Sequence, residues 1–276
     1  MDSVAESQKV KSNNANTFIK IGVATASLYP LHTEKALLTM AKLGVKNVEI
    51  FLNSTSELSG EIFTSVQNTV KDYGLNILAL HPFSSPMETL FLFSSYDRRV
   101  TELMELYKRY FEKMALVGAK IFVIHGAISS ANCSRERYVE RLSMLVDAGR
   151  EFGITVAQEN VSYCKSGELS FLSYLKEQLG DKAKFVLDLK QARRSGNSPF
   201  EMLDTLGNSV IHLHLSDANP TDDCMLIGRG EFDFRGLFSK LGEVGFNGGA
   251  VVELYRDNYN EYKDLSDSVE ILQNLL

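Results

Sequence analysis

One pattern recurs seven times along the chain: a Gly-containing turn, a short apolar run, and at its end a residue able to bind metal or move a proton. It runs from Leu43-Gly44 to Val48-Glu49, Tyr73-Gly74 to Leu80-His81, Val117-Gly118 to Ile124-His125 and Phe152-Gly153 to Gln158-Glu159. It returns from Leu179-Gly180 to Leu187-Asp188, Leu206-Gly207 to Leu213-His214 and Val244-Gly245 to Val252-Glu253, while Phe18 to Ala24 supplies a strand without the preceding turn. Glycine there suits a helix C-cap, where the chain leaves in a left-handed conformation, and β-branched runs such as Ile121-Phe122-Val123-Ile124 suit buried strands. Between the runs, helical spacing predicts helices over Thr33 to Lys42, Leu58 to Asp72, Asp97 to Leu116, Arg135 to Glu151, Glu168 to Gln178, Pro199 to Thr205, Phe234 to Glu243 and Tyr262 to Leu275.

Alternation of strand and helix demands a parallel sheet, because each strand is re-entered from the same end through a crossover helix. Eight such units predict a closed (β/α)8 TIM barrel, an α/β fold in a single domain over residues 17–276. The length of 276 residues agrees with the roughly 250 typical of such barrels. A doubly wound nucleotide-binding sheet is the alternative, but no G-x-G-x-x-G opens a helix and no phosphate-cradling G-x-x-x-x-G-K-[ST] is present. The polar segment 1–16 has no apolar core of a signal peptide and is expected to be a flexible N-terminal extension outside the fold.

No apolar run approaches the roughly 20 residues of a membrane span. The net charge of -6 gives no electrostatic reason to expect broad binding to nucleic-acid phosphates. Cys133, Cys164 and Cys224 are odd in number and lack C-x-x-C spacing, so neither a disulfide framework nor a thiolate zinc site is indicated, and a reducing cytoplasm is the expected setting.

In a (β/α)8 barrel the active site lies at the carboxyl ends of the strands, where the repeat places Glu49, His81, His125, Glu159, Asp188, His214 and Glu253. Any one of the carboxylates Glu159, Asp188 and Glu253 is equally well explained as a helix cap or a lysine partner. Three facing one cavity would repel unless a cation or trapped protons compensated them, and a metal is the simplest compensation. His212 and His214 share a strand face, His214 nearer the mouth as the better ligand candidate and His212 deeper as a hydrogen-bonded interior residue. His81 and His125 suit a second metal, substrate oxygens or plain structural roles, and His32 is expected near the pocket. Lys190, Arg193, Arg194 and Arg229 either hold a phosphate or carboxylate or are solvated surface charges. Glu49 is left open between a site role and a structural one.

The motifs Leu80-His81-Pro82, Val123-Ile124-His125-Gly126, Gln158-Glu159-Asn160, Val186-Leu187-Asp188, His212-Leu213-His214 and Val252-Glu253 resemble the xylose-isomerase-like barrel superfamily, as does Gly228-Arg229-Gly230-Glu231-Phe232-Asp233. That superfamily includes sugar isomerases and epimerases, inosose dehydratases and the endonuclease IV type of DNA repair enzyme. The resemblance spans residues 18–276. It implies one divalent metal on Glu159, Asp188, His214 and Glu253, with Glu159 and Glu253 doubling as proton-transfer groups and His81, His125, Lys190, Gln191 and Arg229 facing substrate. Three carboxylates and one imidazole favour Mn, Mg or Co, with Zn admissible.

The activity implied is isomerisation or epimerisation of a ketose, polyol-derived or phosphorylated sugar through an enediolate. An alternative is a two-metal hydrolase of the endonuclease type. That branch adds a histidine three residues after the aspartate, where Gln191 stands, and a D-x-H pair absent between Asp217 and Phe234. Gln191 also replaces a histidine that many sugar epimerases keep, and Pro220 stands about where ketose 3-epimerases place a substrate arginine. A non-catalytic sugar-binding barrel is the third alternative. A small sugar or sugar phosphate is the expected partner, and self-association into a homo-oligomer is left open.

Overall fold

The computed structural model describes residues 19–276, and the expected extension and Phe18 lie outside the described residues. Eight parallel strands pair in chain order, and the last closes on the first. They are β1 (Lys20–Ala24), β2 (Asn47–Leu52), β3 (Asn76–Pro82), β4 (Ile121–Ile124), β5 (Thr155–Glu159), β6 (Phe185–Asp188), β7 (Val210–Leu215) and β8 (Gly249–Val252). This is the TIM barrel that the repeat predicts.

Helices Thr33–Lys42, Arg135–Glu151 and Phe234–Glu243 have the expected bounds, and the other five expected helices shift by one or two residues. Two short helices, Ser85–Leu90 and Leu189–Arg194, were not legible, since six residues hold too little of a 3.6-residue period. Both sit in loops that leave the carboxyl ends of strands. The longest helix, Asp97–Val117, buries Val100, Leu103, Tyr107, Tyr110, Phe111 and Met114 on one face. Tyr107 and Phe111 meet Phe122 of β4 edge-on at 4.9 and 5.1 Å between ring centres.

Strand alternation sorts the barrel interior into layers, because side chains two residues apart share a face. Two residues before His81, His125, Glu159 and Asp188 stand Ala79, Val123, Ala157 and Val186, which form a buried cluster separate from the large core between sheet and helices. On β2 and β7 the same step puts Glu49 beneath Phe51 and His212 beneath His214. The repeat placed Glu49 at a strand end, but β2 continues through Ile50-Phe51-Leu52, so Glu49 lies one layer down, fully buried.

After β7 the chain winds around one buried carboxylate. Asp217 Oδ2 accepts from the backbone N–H groups of Gly228 and Gly230, both at 2.9 Å, and Oδ1 accepts from Ala218 at 2.8 Å and Phe232 at 3.1 Å. Gly230 is required by this wrapping, because a Cβ there would fall 2.4 Å from Ala218 O and from Asp217 Oδ1. Asp233 ends the stretch by capping helix Phe234–Glu243, accepting from Gly236 N at 2.8 Å. The glycine-rich motif is thus a loop folded on Asp217. An Asp217→Asn variant, whose amide nitrogen meets backbone donors, is expected to lose about 3 kcal/mol of unfolding free energy in urea titration, as charge-assisted bonds are removed and buried N–H groups left unpaired.

Candidate metal centre

Four neighbouring strands deliver the candidate ligands to one point. Glu159 and Asp188 end β5 and β6, His214 is the penultimate residue of β7, and Glu253 follows β8. Asp188 pairs in register with His214, and Glu253 N donates to Leu215 O at 3.0 Å. One ligand atom from each of Glu159, Asp188, His214 and Glu253 lies within 4.8 Å of all the others.

Asp188 is held by three bonds that leave one oxygen uncommitted. Its Oδ1 accepts from Gln191 N at 2.8 Å, capping helix Leu189–Arg194. The Asn160 side chain brackets its backbone, accepting from Asp188 N at 2.7 Å and donating to Asp188 O at 3.0 Å. His214 Nε2 stands 3.2 Å from Glu49 Oε2, which orients the ring so that Nδ1 faces the cluster. Nδ1 lies 3.3 Å from Glu253 Oε2, 3.6 Å from Glu159 Oε1 and 3.7 Å from Asp188 Oδ2. Asp188 Oδ2 and His214 Nδ1 are buried without a hydrogen-bond partner among the described residues. Two buried atoms without a hydrogen-bond partner, aimed at one point among three carboxylates, fit a divalent cation once His214 gives up its proton, and the Glu49–His214 contact is the usual outer support of a metal-bound imidazole.

Beneath the cluster Glu49 Oε2 also meets His212 Nε2 at 2.9 Å, so His212 is the interior hydrogen-bonded residue expected of it. Burial alone would push the Glu49 carboxyl up, but the His214 charge and the bonds from both histidines bring it down to about 2. Burial likewise opposes ionisation of Glu159 and Glu253; His125 and His214 outweigh it for Glu159, and His214 and Lys190 for Glu253, so both are held below the usual carboxylate range. Burial disfavours a charged His214, yet Glu49 and Glu253 raise it well above the ordinary imidazole value. Without metal, the carboxylates therefore keep a proton on the imidazole.

A second convergence flanks the first. His81 Nε2 and His125 Nε2 lie 2.8 Å apart, and Glu159 Oε2 is 3.4 Å from one and 3.1 Å from the other. His81 Nδ1 faces Pro82 O at 3.1 Å, and Tyr163 Oη stands 3.4 Å from His125 Nδ1.

Above both lies a cavity of about 510 Å³. Its floor carries His81, His125, Glu159, Lys190, Gln191 and Glu253, and Tyr29, Phe51, Phe83, Tyr163 and Tyr255 supply aromatic walls. Gln191 is fixed there by Ser162, whose N and Oγ reach its Oε1 at 3.0 and 2.8 Å. The four basic residues part company. Lys190 is not a solvated surface charge: it is 5% exposed, with Nζ 3.5 Å from Asp188 Oδ2 and 3.4 Å from Glu253 Oε2. Arg194 pairs with Asp223 at 2.6 Å, Arg193 is exposed, and Arg229 is exposed on the loop around Asp217 and does not line the cavity. His32 points outward, 73% exposed beside Glu34, and Tyr29 rather than His32 borders the cavity.

The xylose isomerase-like TIM barrel family matches residues 37–275. The chain belongs to that family. Among curated relatives, an uncharacterized protein of Mycobacterium leprae is 24% identical over 257 residues, 86% of this chain and 89% of its own. Among solved structures, a D-tagatose 3-epimerase-like protein superposes with a TM-score of 0.77 at 21% identity, covering 93% of this chain and 97% of its own. The IolI protein with a bound zinc atom gives 0.75 at 18%, covering 93% and 96%. At these identities the structural likeness establishes the fold alone, a closed (β/α)8 barrel.

Within this family barrel, Glu88 was not legible from sequence. It lies on the short helix Ser85–Leu90, wholly buried, where it accepts from the backbone N–H of Gly126 and, at 3.0 Å, from Tyr107 Oη. It thereby fixes the turn that carries His125. Burial raises its carboxyl, with the His125 charge and these bonds only partly offsetting it. A folded-state value above the unfolded one favours the protonated form, so this contribution to stability is full below the unfolded pKa and lost as pH rises through the folded one. Glu88→Gln, which keeps an acceptor for Gly126, presents an amide N–H to Tyr107 Oη in place of an acceptor and cannot ionise, is expected to stabilise the protein more at pH 8 than at pH 5 in denaturant titrations.

Proposed function

We propose that the chain is a metal-dependent isomerase or epimerase of a sugar carrying a ketone beside a hydroxyl. The observation that carries this is the pair of buried atoms Asp188 Oδ2 and His214 Nδ1, without a hydrogen-bond partner among the described residues and set between Glu159 and Glu253, both of which line the cavity. Glu159, Asp188, His214 and Glu253 would hold the cation. A divalent metal there supplies polarisation of the carbonyl and its neighbouring hydroxyl oxygen, which acidifies the carbon-bound proton between them.

The chain's own groups do the rest. Glu159 from β5 and Glu253 after β8 are separated by β6 and β7, so they approach a substrate from different sides. One carboxylate removes the proton α to the carbonyl; the other, carrying a proton, delivers it to the opposite face, and configuration inverts. His125 and His81 back Glu159 and are placed to donate to substrate oxygens. Aromatic walls suit the C–H faces of a sugar ring, with a few polar groups on the floor to orient it. Lys190 is the one lysine or arginine lining this cavity among the described residues, and its ammonium is engaged by two carboxylates. No helix among the described residues is long and apolar enough to cross a membrane.

Elemental analysis of purified protein is expected to find about one Mn, Mg, Co or Zn per chain, lost in the Asp188→Ala, His214→Ala double variant. In a screen of ketoses and keto-sugars, Glu159→Gln and Glu253→Gln are each expected to lower kcat by about 10²-fold or more, in the range of general acid–base contributions. Full turnover in either variant would remove the assignment. His214 must shed its proton to bind metal, so affinity is expected to fall as pH drops from 8 to 6, with proton release on titration.

A two-metal hydrolytic centre is the second reading, favoured by the convergence of His81 Nε2, His125 Nε2 and Glu159 Oε2. Two metals per chain, one of them lost in a His81→Ala, His125→Ala variant, would select it.

A further inference from the structure

The three carboxylates of the centre are not alone with His214. Lys190, the second residue of the helix that Asp188 caps, sends a buried side chain back over the cluster. Its Nζ lies 3.5 Å from Asp188 Oδ2 and 3.4 Å from Glu253 Oε2. Those oxygens are the same two that stand 3.7 and 3.3 Å from His214 Nδ1. A cation of the protein therefore already occupies the oxygen pair that a metal would use.

Charge and space both constrain how the centre can accept a metal. Three carboxylates carry -3 and the ammonium +1, so the cluster with neutral His214 stands at -2, the charge that one divalent ion cancels. An ammonium and a divalent ion cannot share the same two oxygens at contact distance without strong repulsion. The side chain has somewhere to go, because Lys190 lines a second cavity of about 280 Å³ as well as the mouth. That neighbouring cavity is lined by Ser216, Asn197, Ser198 and Asp223, the last already paired with Arg194, and by the exposed Arg193; its carboxylate and neutral polar groups can receive an ammonium.

We infer that Lys190 is a resident cation of this centre, bound to Asp188 and Glu253 until a divalent metal displaces it toward the second cavity, and that it thereby sets the metal affinity; this rests on the metal-centre reading above. The lysine satisfies the carboxylates of the empty site and is freed when the metal takes them. The freed ammonium stays close enough to keep the loaded site electrically balanced.

The test is Mn²⁺ binding to metal-stripped protein, followed by calorimetry and by the loss of the free-ion electron paramagnetic resonance signal. Lys190→Met and Lys190→Gln are both expected to bind Mn²⁺ about tenfold tighter or more, since a contact-distance charge repulsion is relieved. Melting of the metal-free variants is expected at lower temperature than wild type, with a larger rise on adding Mn²⁺. The glutamine variant keeps a polar donor, so it serves if the methionine variant does not fold without metal. Arg235→Met, which removes an exposed cation on helix Phe234–Glu243 that lines neither cavity, is expected to leave the affinity within about twofold. Affinity unchanged or weakened in both Lys190 variants would overturn the inference and make the lysine a static brace, as would an equal tightening in Arg235→Met. Mn²⁺ binding by none of the proteins would overturn the metal centre itself.

Discussion

Three carboxylates brought within a few ångströms of one point, at the closed end of a protein cavity, are the constraint around which this barrel is organised. Burying one carboxylate costs several kcal/mol unless it is paired, and three also repel one another. Nearly every polar group near the mouth answers that cost. His125 sits on Glu159, Lys190 bridges Asp188 and Glu253, and His214 faces all three while leaning on Glu49 beneath. Hydrogen bonding is still incomplete among the described residues, and the atoms without a bond, Asp188 Oδ2 and His214 Nδ1, are those that point inward.

The barrel tolerates such a concentration by separating it from the apolar interior by a single residue step. Ala79, Val123, Ala157 and Val186 fill the interior directly beneath four chemical residues, so no polar atom is needed at that depth on β3 to β6. On β2 and β7 the same depth carries Glu49 and His212 instead. Placing a carboxylate there gives His214 Nε2 an acceptor, which is what turns Nδ1, rather than Nε2, toward the cluster. Asp188 divides its polar atoms in a similar way. One oxygen caps a helix, the backbone is clamped by Asn160, and only the second oxygen is left for chemistry.

The fold was legible because its signal is a repeat, and a period that recurs seven times outweighs the ambiguity of any single run. The four candidate ligands were legible because each closes an apolar run, and strand ends are where this architecture gathers side chains. The residues that escaped lie where no period exists. Glu49 was read as a strand end because Ile50-Phe51-Leu52 cannot be told from a loop by the turn that precedes the run. Lys190 looked like surface charge because it stands beside Arg193 and Arg194, and only the capped helix Leu189–Arg194 directs it inward while its neighbours face solvent. Glu88 and the aromatic walls sit in loops whose shape depends on contacts distant in sequence.

The loop after β6 gives this barrel its particular character. There a lysine and a glutamine come after the candidate ligand Asp188, and each is fixed differently. Gln191 is tied to Ser162 of the preceding loop, which makes it a rigid neutral wall of the cavity. Lys190 is tied to Asp188 and Glu253, carboxylates that a metal would claim. A neutral amide cannot replace an imidazole as a proton carrier at that wall. In the proposed reaction proton movement therefore falls to the carboxylates and histidines of β3, β4, β5 and β8, and the sixth loop contributes shape and one buried positive charge.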